Sequence, residues 1–495
     1  MSLQKKTLAA GRWQIVNVGT FAIMNIAYLM IMARLVDKEY HGIFAVLQIM
    51  VGILGMVSKS GLYVALVRRE ENTNEQISFS FWGSMILGAF FTILIFVLSD
   101  SIAAFYNYAF PSGLVKLFSF YFIFFAFGLT SLGLMIRDLD FKSIFISQCG
   151  SFFIGSLGIG VIMAWFDQQL WALVYGFIAY VFINAIFNYI RRPHSLSWDF
   201  SWAEFHEVKH FSIGVSITEV LNSAAVFIDK LIIGKFTNMT TLAIFDKGQQ
   251  TSRLPVKLFS NAFDVILYSV FSKLQTNKDN ETTAFLRLSS LLWIFVVILS
   301  IILYTYAHHI VVVLLGAKWM ETIPILKIFA IAMPSLIIVK TSDAMLRAAN
   351  KVYLTSRLKA VYVLCIIASA LMAYKHDLTT ISWYICLSYI IHLILVVLYS
   401  CKMLKISFSR YLSAVMPAIL ISFISILLHW FLVIALSDYT GRLVMIVIAV
   451  ICQVLLLLVL ARLSDVFIGK ENIVFLNKLT PDPIKTKLRQ FKIIK

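Results

Sequence analysis

Apolar runs of about 20 residues recur along this chain, from near its start to about residue 461. A run of that length can cross the hydrocarbon core of a bilayer as one helix, with its backbone hydrogen bonds satisfied internally. Such runs lie near 13–34, 42–66, 79–105, 113–136, 143–166, 170–190, 207–234, 241–272, 282–307, 322–346, 352–374, 379–401, 411–436 and 442–461. The pattern predicts an all-α polytopic membrane protein with 14 transmembrane helices. Composition agrees: 60% of residues are apolar and 14% charged, against about 45–50% and 25% in soluble domains. A soluble enzyme, a disordered chain and a disulfide scaffold are excluded on that ground.

The formal net charge is +17. In a polytopic chain such an excess gathers on the cytoplasmic side and meets anionic lipid headgroups there. An even span count puts both termini on one side. If that side is cytoplasmic, the inner loops and tails hold 28 Lys and Arg and the outer loops 7. The asymmetry predicts cytoplasmic termini, with the first span a signal anchor in a bacterial inner membrane. No soluble domain is left to carry nucleic acid, so no nucleic-acid partner is expected. Cys149, Cys365, Cys386, Cys401 and Cys452 all lie in or beside apolar runs, and none forms a CxxC pair. They read as small buried hydrophobes, and no metal site is expected.

The connections are short, which leaves no room for a catalytic domain; the chain is not expected to be an enzyme. The stretch from Arg191 to about His206 is the longest connection within the bundle and divides the chain in two. The two halves resemble one another. At an offset of 201 residues, Ile31-Met32-Ala33-Arg34-Leu35 faces Ile232-Ile233-Gly234-Lys235-Phe236, and Gln48 faces Gln249. At an offset of 210, Met135-Ile136-Arg137 faces Met345-Leu346-Arg347. Six spans separate the matched segments, so the halves are parallel repeats, a transporter feature that puts the substrate path between them. The expected layout is a six-helix lobe over 1–195, a second over 196–408, two further helices over 409–465 and a basic cytoplasmic tail over 466–495.

Ionisable groups inside spans are costly and mark function by default. The eighth span carries Asp246, Arg253, Lys257 and Asp264 on one helical face. The seventh carries Glu219, Asn222 and Asp229, with Lys230 beside them. The tenth carries Lys340, Asp343 and Arg347, and the second carries Lys59. Such stripes face water or one another, never lipid. Asp229 with Lys230, and Asp246 with Lys247, read as internal pairs near the outer mouth, and Lys340 with Asp343, one turn apart, would allow another in place of a cavity role. Lys59, Arg253, Lys257 and Lys340 read as a cationic cavity for an anionic substrate. Arg suits phosphate through its bidentate fork, and Lys acts as a point charge. Glu219, Asp264 or Asp343 would bind a coupling proton or sodium ion. Arg68 and Arg69 stand at the cytoplasmic mouth, either as topology anchors or as headgroup contacts. Pro255, Pro324, Pro334 and Pro417 fall within spans and read as hinges or static kinks.

Several segments carry a resemblance: Lys59-Ser60-Gly61-Leu62, Ala65-Leu66-Val67-Arg68-Arg69, Thr73, Ser80-Phe81-Trp82, Met135-Ile136-Arg137-Asp138, Asp229-Lys230-Leu231-Ile232-Ile233-Gly234 and Arg253-Leu254-Pro255. Together they resemble the Wzx-type polysaccharide flippases of the multidrug/oligosaccharidyl-lipid/polysaccharide exporter superfamily, in the O-antigen and colanic-acid-exporter-like branch. The resemblance spans roughly residues 5–470. One departure is Ile244-Phe245, where the branch commonly has Tyr-Tyr. The resemblance implies two six-helix lobes plus two helices, alternating access and no cofactor. Its implied substrate is an undecaprenyl-pyrophosphate-linked oligosaccharide moved to the outer leaflet for O-antigen, capsule or exopolysaccharide. Polysaccharide polymerases and glycosyltransferases would be pathway neighbours. The alternatives are a cation-coupled drug antiporter, which needs excess acid in its cavity, and a lipid II flippase, which differs by substrate.

Overall fold

The computed structural model describes residues 3–59, 66–67, 72–107, 109–198, 220–221, 223–274, 278–349 and 351–416, and beyond these only positions 420, 423, 424 and 427. Those residues contain helices and connections and no strand. The first half comprises α1 (Leu3–Leu35), α2 (Lys38–Lys59), α3 (Asn74–Val97) and the short α4 (Ser99–Phe105). It continues with α5 (Ser112–Ser119), α6 (Tyr121–Arg137), α7 (Phe141–Phe152), a π-helical stretch (Phe153–Gly160), α8 (Val161–Trp165) and α9 (Gln169–Arg191). The second half comprises α10 (residues 223–236), α11 (Met239–Leu274), α12 (Lys278–Thr305) and the short α13 (Ala307–Leu314). A 3-10 turn (Ala317–Thr322), α14 (Ile323–Ala348), α15 (Val352–Ala373), α16 (Leu378–Leu404) and α17 (residues 408–416) follow.

Where their residues are described, the first twelve expected spans fall on helix; 60–65 of the second and 207–219 of the seventh lie outside the described residues. Among the described residues, 9 helices are long and apolar enough to cross a membrane. The last two expected spans, apart from α17 and the few positions after it, lie outside the described residues, as does the 466–495 tail.

Three spans are interrupted where the sequence reads as one apolar run. Leu98 separates α3 from α4, Phe120 separates α5 from α6, and Tyr306 separates α12 from α13. The fifth span is wound as a π-helix over eight residues, Phe153–Gly160. Its glycines explain the packing there. A Cβ on Gly155 would stand 2.3 Å from the Tyr180 backbone nitrogen, and one on Gly176 would stand 2.7 Å from Gly160 Cα. The fifth and sixth spans therefore touch backbone to backbone, which only small residues permit.

Helix starts follow capping chemistry. Thr73 Oγ1 accepts from Gln76 N (3.2 Å), and Gln76 Oε1 accepts from Thr73 N (3.1 Å), a reciprocal box that opens α3. Asp140 Oδ1 accepts from Ser143 N and opens α7.

The described fold divides into two compact units. The first is Met1–Thr251, Val311–Ile325 and Lys359–Ser388. Its centre holds an aromatic stack in which the Phe177 ring lies 5.5 Å from Phe118 and 5.7 Å from Tyr121. The second is Ser252–Ile310, Leu326–Leu358 and Tyr389–Lys495. Its described core includes Phe271, Phe285, Val296, Met333, Ile338 and Met345. Pro334 sits inside α14 and has no N–H, which leaves the Ala330 carbonyl without its helical donor. The Ser300 hydroxyl of α12 donates to that carbonyl, so the break is satisfied by a neighbouring helix.

The chain leaving α9 folds back over the N-terminal end of α3. Trp82 Nε1 donates to Ser197 O (3.0 Å), and the Trp82 and Trp198 rings lie 4.7 Å apart. The half-buried His194 ring lies 5.0 Å from Phe81 and 5.4 Å from Tyr189. Burial lowers its pKa below the ordinary histidine value, and Arg192 lowers it further. The sign follows: neutral His194 keeps this strap in place above about pH 6.5, and the stabilisation is lost as pH falls below that value. Acidification to pH 5 is expected to raise acrylamide quenching of tryptophan emission, and Trp198→Phe to remove most of that rise. An unchanged quenching constant across this range would contradict the coupling.

Candidate functional site

Within the first unit, α10 and α11 bring a buried polar cluster together. Lys230 Nζ donates to Asp246 Oδ1 at 2.5 Å, with both side chains about nine-tenths buried. Gln249 Nε2 donates to Asp229 Oδ2 at 2.6 Å. Lys247 Nζ donates to Gln250 Oε1 at 3.4 Å, and His41 of α2 is buried nearby with Nε2 on Met32 O. Lys230 thus reaches across helices to Asp246, and Gln249 across them to Asp229, because adjacent residues on a helix point about 100° apart.

Also within the first unit, the α1–α2 junction holds the end of α13 and the turn that follows it. Arg34 donates to the last carbonyls of α13: Val312 O (3.4 Å), Val313 O (2.6 Å) and Leu314 O (3.4 Å). In return, Lys318 Nζ donates to Arg34 O (3.1 Å) and Val36 O (2.7 Å), and Trp319 Nε1 donates to Ala33 O (2.8 Å). Trp319 is fully buried, with the His41 ring edge-on at 5.3 Å. Lys38 Nζ meets Glu321 Oε2 at 3.0 Å. Gly42 lies against the start of α11, where a Cβ would stand 1.9 Å from Met239 O.

Within the second unit, Arg253 of α11 donates from Nη2 to the Tyr389 hydroxyl of α16 at 2.8 Å. The guanidinium also stands 5.8 Å from the centre of that ring, which packs at 6.1 Å from Phe329. A tyrosine held this way fixes the direction of the guanidinium. One turn on, His392 is buried. On α14, Lys340 is half-buried and Asp343 buried, and Arg347 Nε donates to the Asp343 carbonyl.

The predicted site residues are thus partly placed. Arg253, Lys340 and Asp343 lie in the second unit, on α11 and α14. Arg68 and Glu219 lie outside the described residues, as do the side chains of Lys59, Lys257 and Asp264. Tyr389 escaped the sequence reading. Its only trace there is a phenol in an apolar run, and its helix is far from α11 in the chain. The adjacent His308 and His309 have ring centres 5.5 Å apart, and no group of three metal-ligating side chains occurs among the described residues.

Comparison with known proteins adds the family. The chain matches the family described as polysaccharide biosynthesis protein over residues 31–324. It belongs to that family. One relative is the lipopolysaccharide biosynthesis protein WzxC of Escherichia coli (strain K12), 20% identical over 333 residues, covering 67% of this chain and 68% of that protein. Another is the teichuronic acid biosynthesis protein TuaB of Bacillus subtilis (strain 168), 20% identical over 444 residues, covering 85% of this chain and 88% of the other. Among solved structures, the lipid II flippase MurJ in an inward closed conformation superposes with a TM-score of 0.71 at 14% identity, over 90% of this chain and 98% of that one. The last likeness establishes a shared all-helical fold.

Proposed function

We propose that this chain flips undecaprenyl-pyrophosphate-linked oligosaccharide repeat units from the cytoplasmic to the outer leaflet of a bacterial inner membrane, for assembly of a surface polysaccharide. Family membership supports the pathway. Arg253 carries the chemical part of the reading: it is a guanidinium within the 36-residue α11, held by the hydroxyl of a buried tyrosine on α16. A diphosphate and a string of hydroxyls are expensive to take through hydrocarbon. A guanidinium replaces the lost hydration of phosphate with fork-like hydrogen bonds. Lys340 adds a point charge, and Lys59 and Lys257 extend the cationic set. Asp343, with Glu219 and Asp264, holds the coupling proton or sodium ion. The polyprenyl tail stays in lipid, and the chain performs no covalent chemistry. Membrane lipid surrounds it, and polymerases and glycosyltransferases act before and after it.

The test is on a deletion strain, with lipid-linked oligosaccharides quantified by mass spectrometry beside surface polymer. Complete repeat units accumulate and surface polymer is lost. Arg253→Gln reproduces the defect, lowering export about tenfold or more at unchanged protein level, as loss of a charge-assisted contact does. Truncated repeat units would overturn the reading in favour of a synthetic enzyme, and unchanged pools in favour of a drug antiporter.

A further inference from the structure

Arg34 and Lys235 occupy matched positions in the internal repeat, 201 residues apart, at the ends of the first and seventh spans. The structure gives them matched tasks. Arg34 donates to the last carbonyls of α13, the short helix that follows the third span of the second half. Lys235 Nζ donates to Phe105 O (2.5 Å) and Asn107 Oδ1 (3.5 Å), at the end of α4, the short helix that follows the third span of the first half. The Lys235 ammonium also stands 4.8 Å from the Phe105 ring centre. Both acceptor helices are short, and each follows a one-residue break, at Leu98 and at Tyr306. Each half of the chain thus lends one cation to the other half's equivalent helix end.

The chemistry suits a contact that must hold and release. The last turn of a helix presents carbonyls without intrahelical donors and a partial negative charge. A cation placed there gains a moderate, water-sensitive attraction, unlike a buried ion pair. The acceptors are backbone carbonyls and, for Lys235, the neutral Asn107 amide as well, so the contact depends on how the helix ends approach and not on a second charged side chain. Arg34 remains exposed, within reach of water that would take over its donors on release. Beneath the contacts the packing is close. Val46 is fully buried, and a Cβ on Gly234 would lie 3.7 Å from its methyl.

We propose that Arg34 and Lys235 are two equivalent latches that hold the α1–α2 end of the bundle shut, and that both must let go for this end to open during transport. The proposal rests on the transport reading above for its purpose but not for its test, which needs no cargo. Val46→Cys is introduced in a background whose native cysteines are alanine. Spheroplasts are then labelled with a membrane-impermeant maleimide. Arg34→Ala and Lys235→Ala each raise the labelling rate about fivefold, and the double variant raises it about 25-fold, as two independent helix-end contacts should. Arg34→Gln and Lys235→Gln remove the charge but keep a polar side chain of intermediate length, and serve if the alanine variants do not accumulate. A double variant labelled at the parental rate overturns the proposal. A second arm joins Lys38→Cys to Glu321→Cys with a reducible bifunctional methanethiosulfonate. Export of surface polymer stops and resumes on reduction. Export that continues through the cross-linked protein overturns the requirement that this end open. Failure of the cargo assignment would show instead as an unchanged lipid-linked pool in the deletion strain.

Discussion

Asp246→Asn lowers the unfolding free energy by about 3–5 kcal/mol, because it leaves the Lys230 ammonium buried without its counter-charge. Both residues are less than a tenth exposed, and the Lys230 Nζ to Asp246 Oδ1 contact is 2.5 Å. Lys230→Met alone has the converse effect of similar size. The double variant Lys230→Met/Asp246→Leu recovers most of the loss, because the attraction within a buried pair roughly balances the cost of dehydrating both ions. Unfolding in detergent micelles, followed by tryptophan emission across a denaturant series, measures all three. A double variant as unstable as the singles would mean that the charges act through other partners. Gln249 and Asp229 are the nearby control. Gln249→Leu leaves a carboxylate oxygen without its amide donor, a loss smaller than removal of a charge.

Gly42→Ala is expected to cost about 3 kcal/mol, at the upper end of overpacking effects, because the obstruction is backbone and cannot rotate away. The added Cβ would stand 1.9 Å from Met239 O and 2.6 Å from its carbonyl carbon. α2 and the start of α11 must therefore separate, beside the Arg34 and Trp319 contacts. Gly11→Ala and Gly19→Ala, where a Cβ meets nothing within 4 Å, provide the contrast. Each should change stability by less than about 1 kcal/mol, in the favourable direction of helix propensity. Accumulation and unfolding midpoint distinguish the sites, and equal behaviour of all three would refute the close approach.

The placement of the spans was legible because a helix in lipid must be apolar over its whole length, whatever it packs against. The runs near 322–346 and 379–401 became α14 (Ile323–Ala348) and α16 (Leu378–Leu404) with little change at either end. The break at Phe120 was not legible, since both sides of it remain apolar, whereas Leu98 is followed by Ser99-Asp100-Ser101 and Tyr306 by Ala307-His308-His309, polar residues inside or beside runs that are apolar as a whole. Among candidate site residues, the stripe on α11 was visible from its spacing. Its partners were not, because helical periodicity says which residues share a face and nothing about what lies opposite. The Lys230–Asp246 and Arg253–Tyr389 contacts both depend on neighbouring helices. Arg34 and Lys235 stood out only as members of a repeat and as charges that set topology. The repeat placed them in equivalent positions, but the acceptors they share are the backbone carbonyls of a helix end, which every residue has and no pattern of side chains reveals.

The π-helical stretch at Phe153–Gly160 has a consequence for how this chain can change length. Its hydrogen-bonded rings each enclose one residue more than those of an α-helix. Loss of a residue there can be absorbed by tightening the coil, and the flanking α7 and α8 keep the faces they now present. The same loss in α9 would turn everything beyond it by about 100° and carry Tyr180 away from Gly155. The fifth span thus holds slack that its neighbour lacks, and over generations of sequence drift it is where a deletion can pass with both helices still in register.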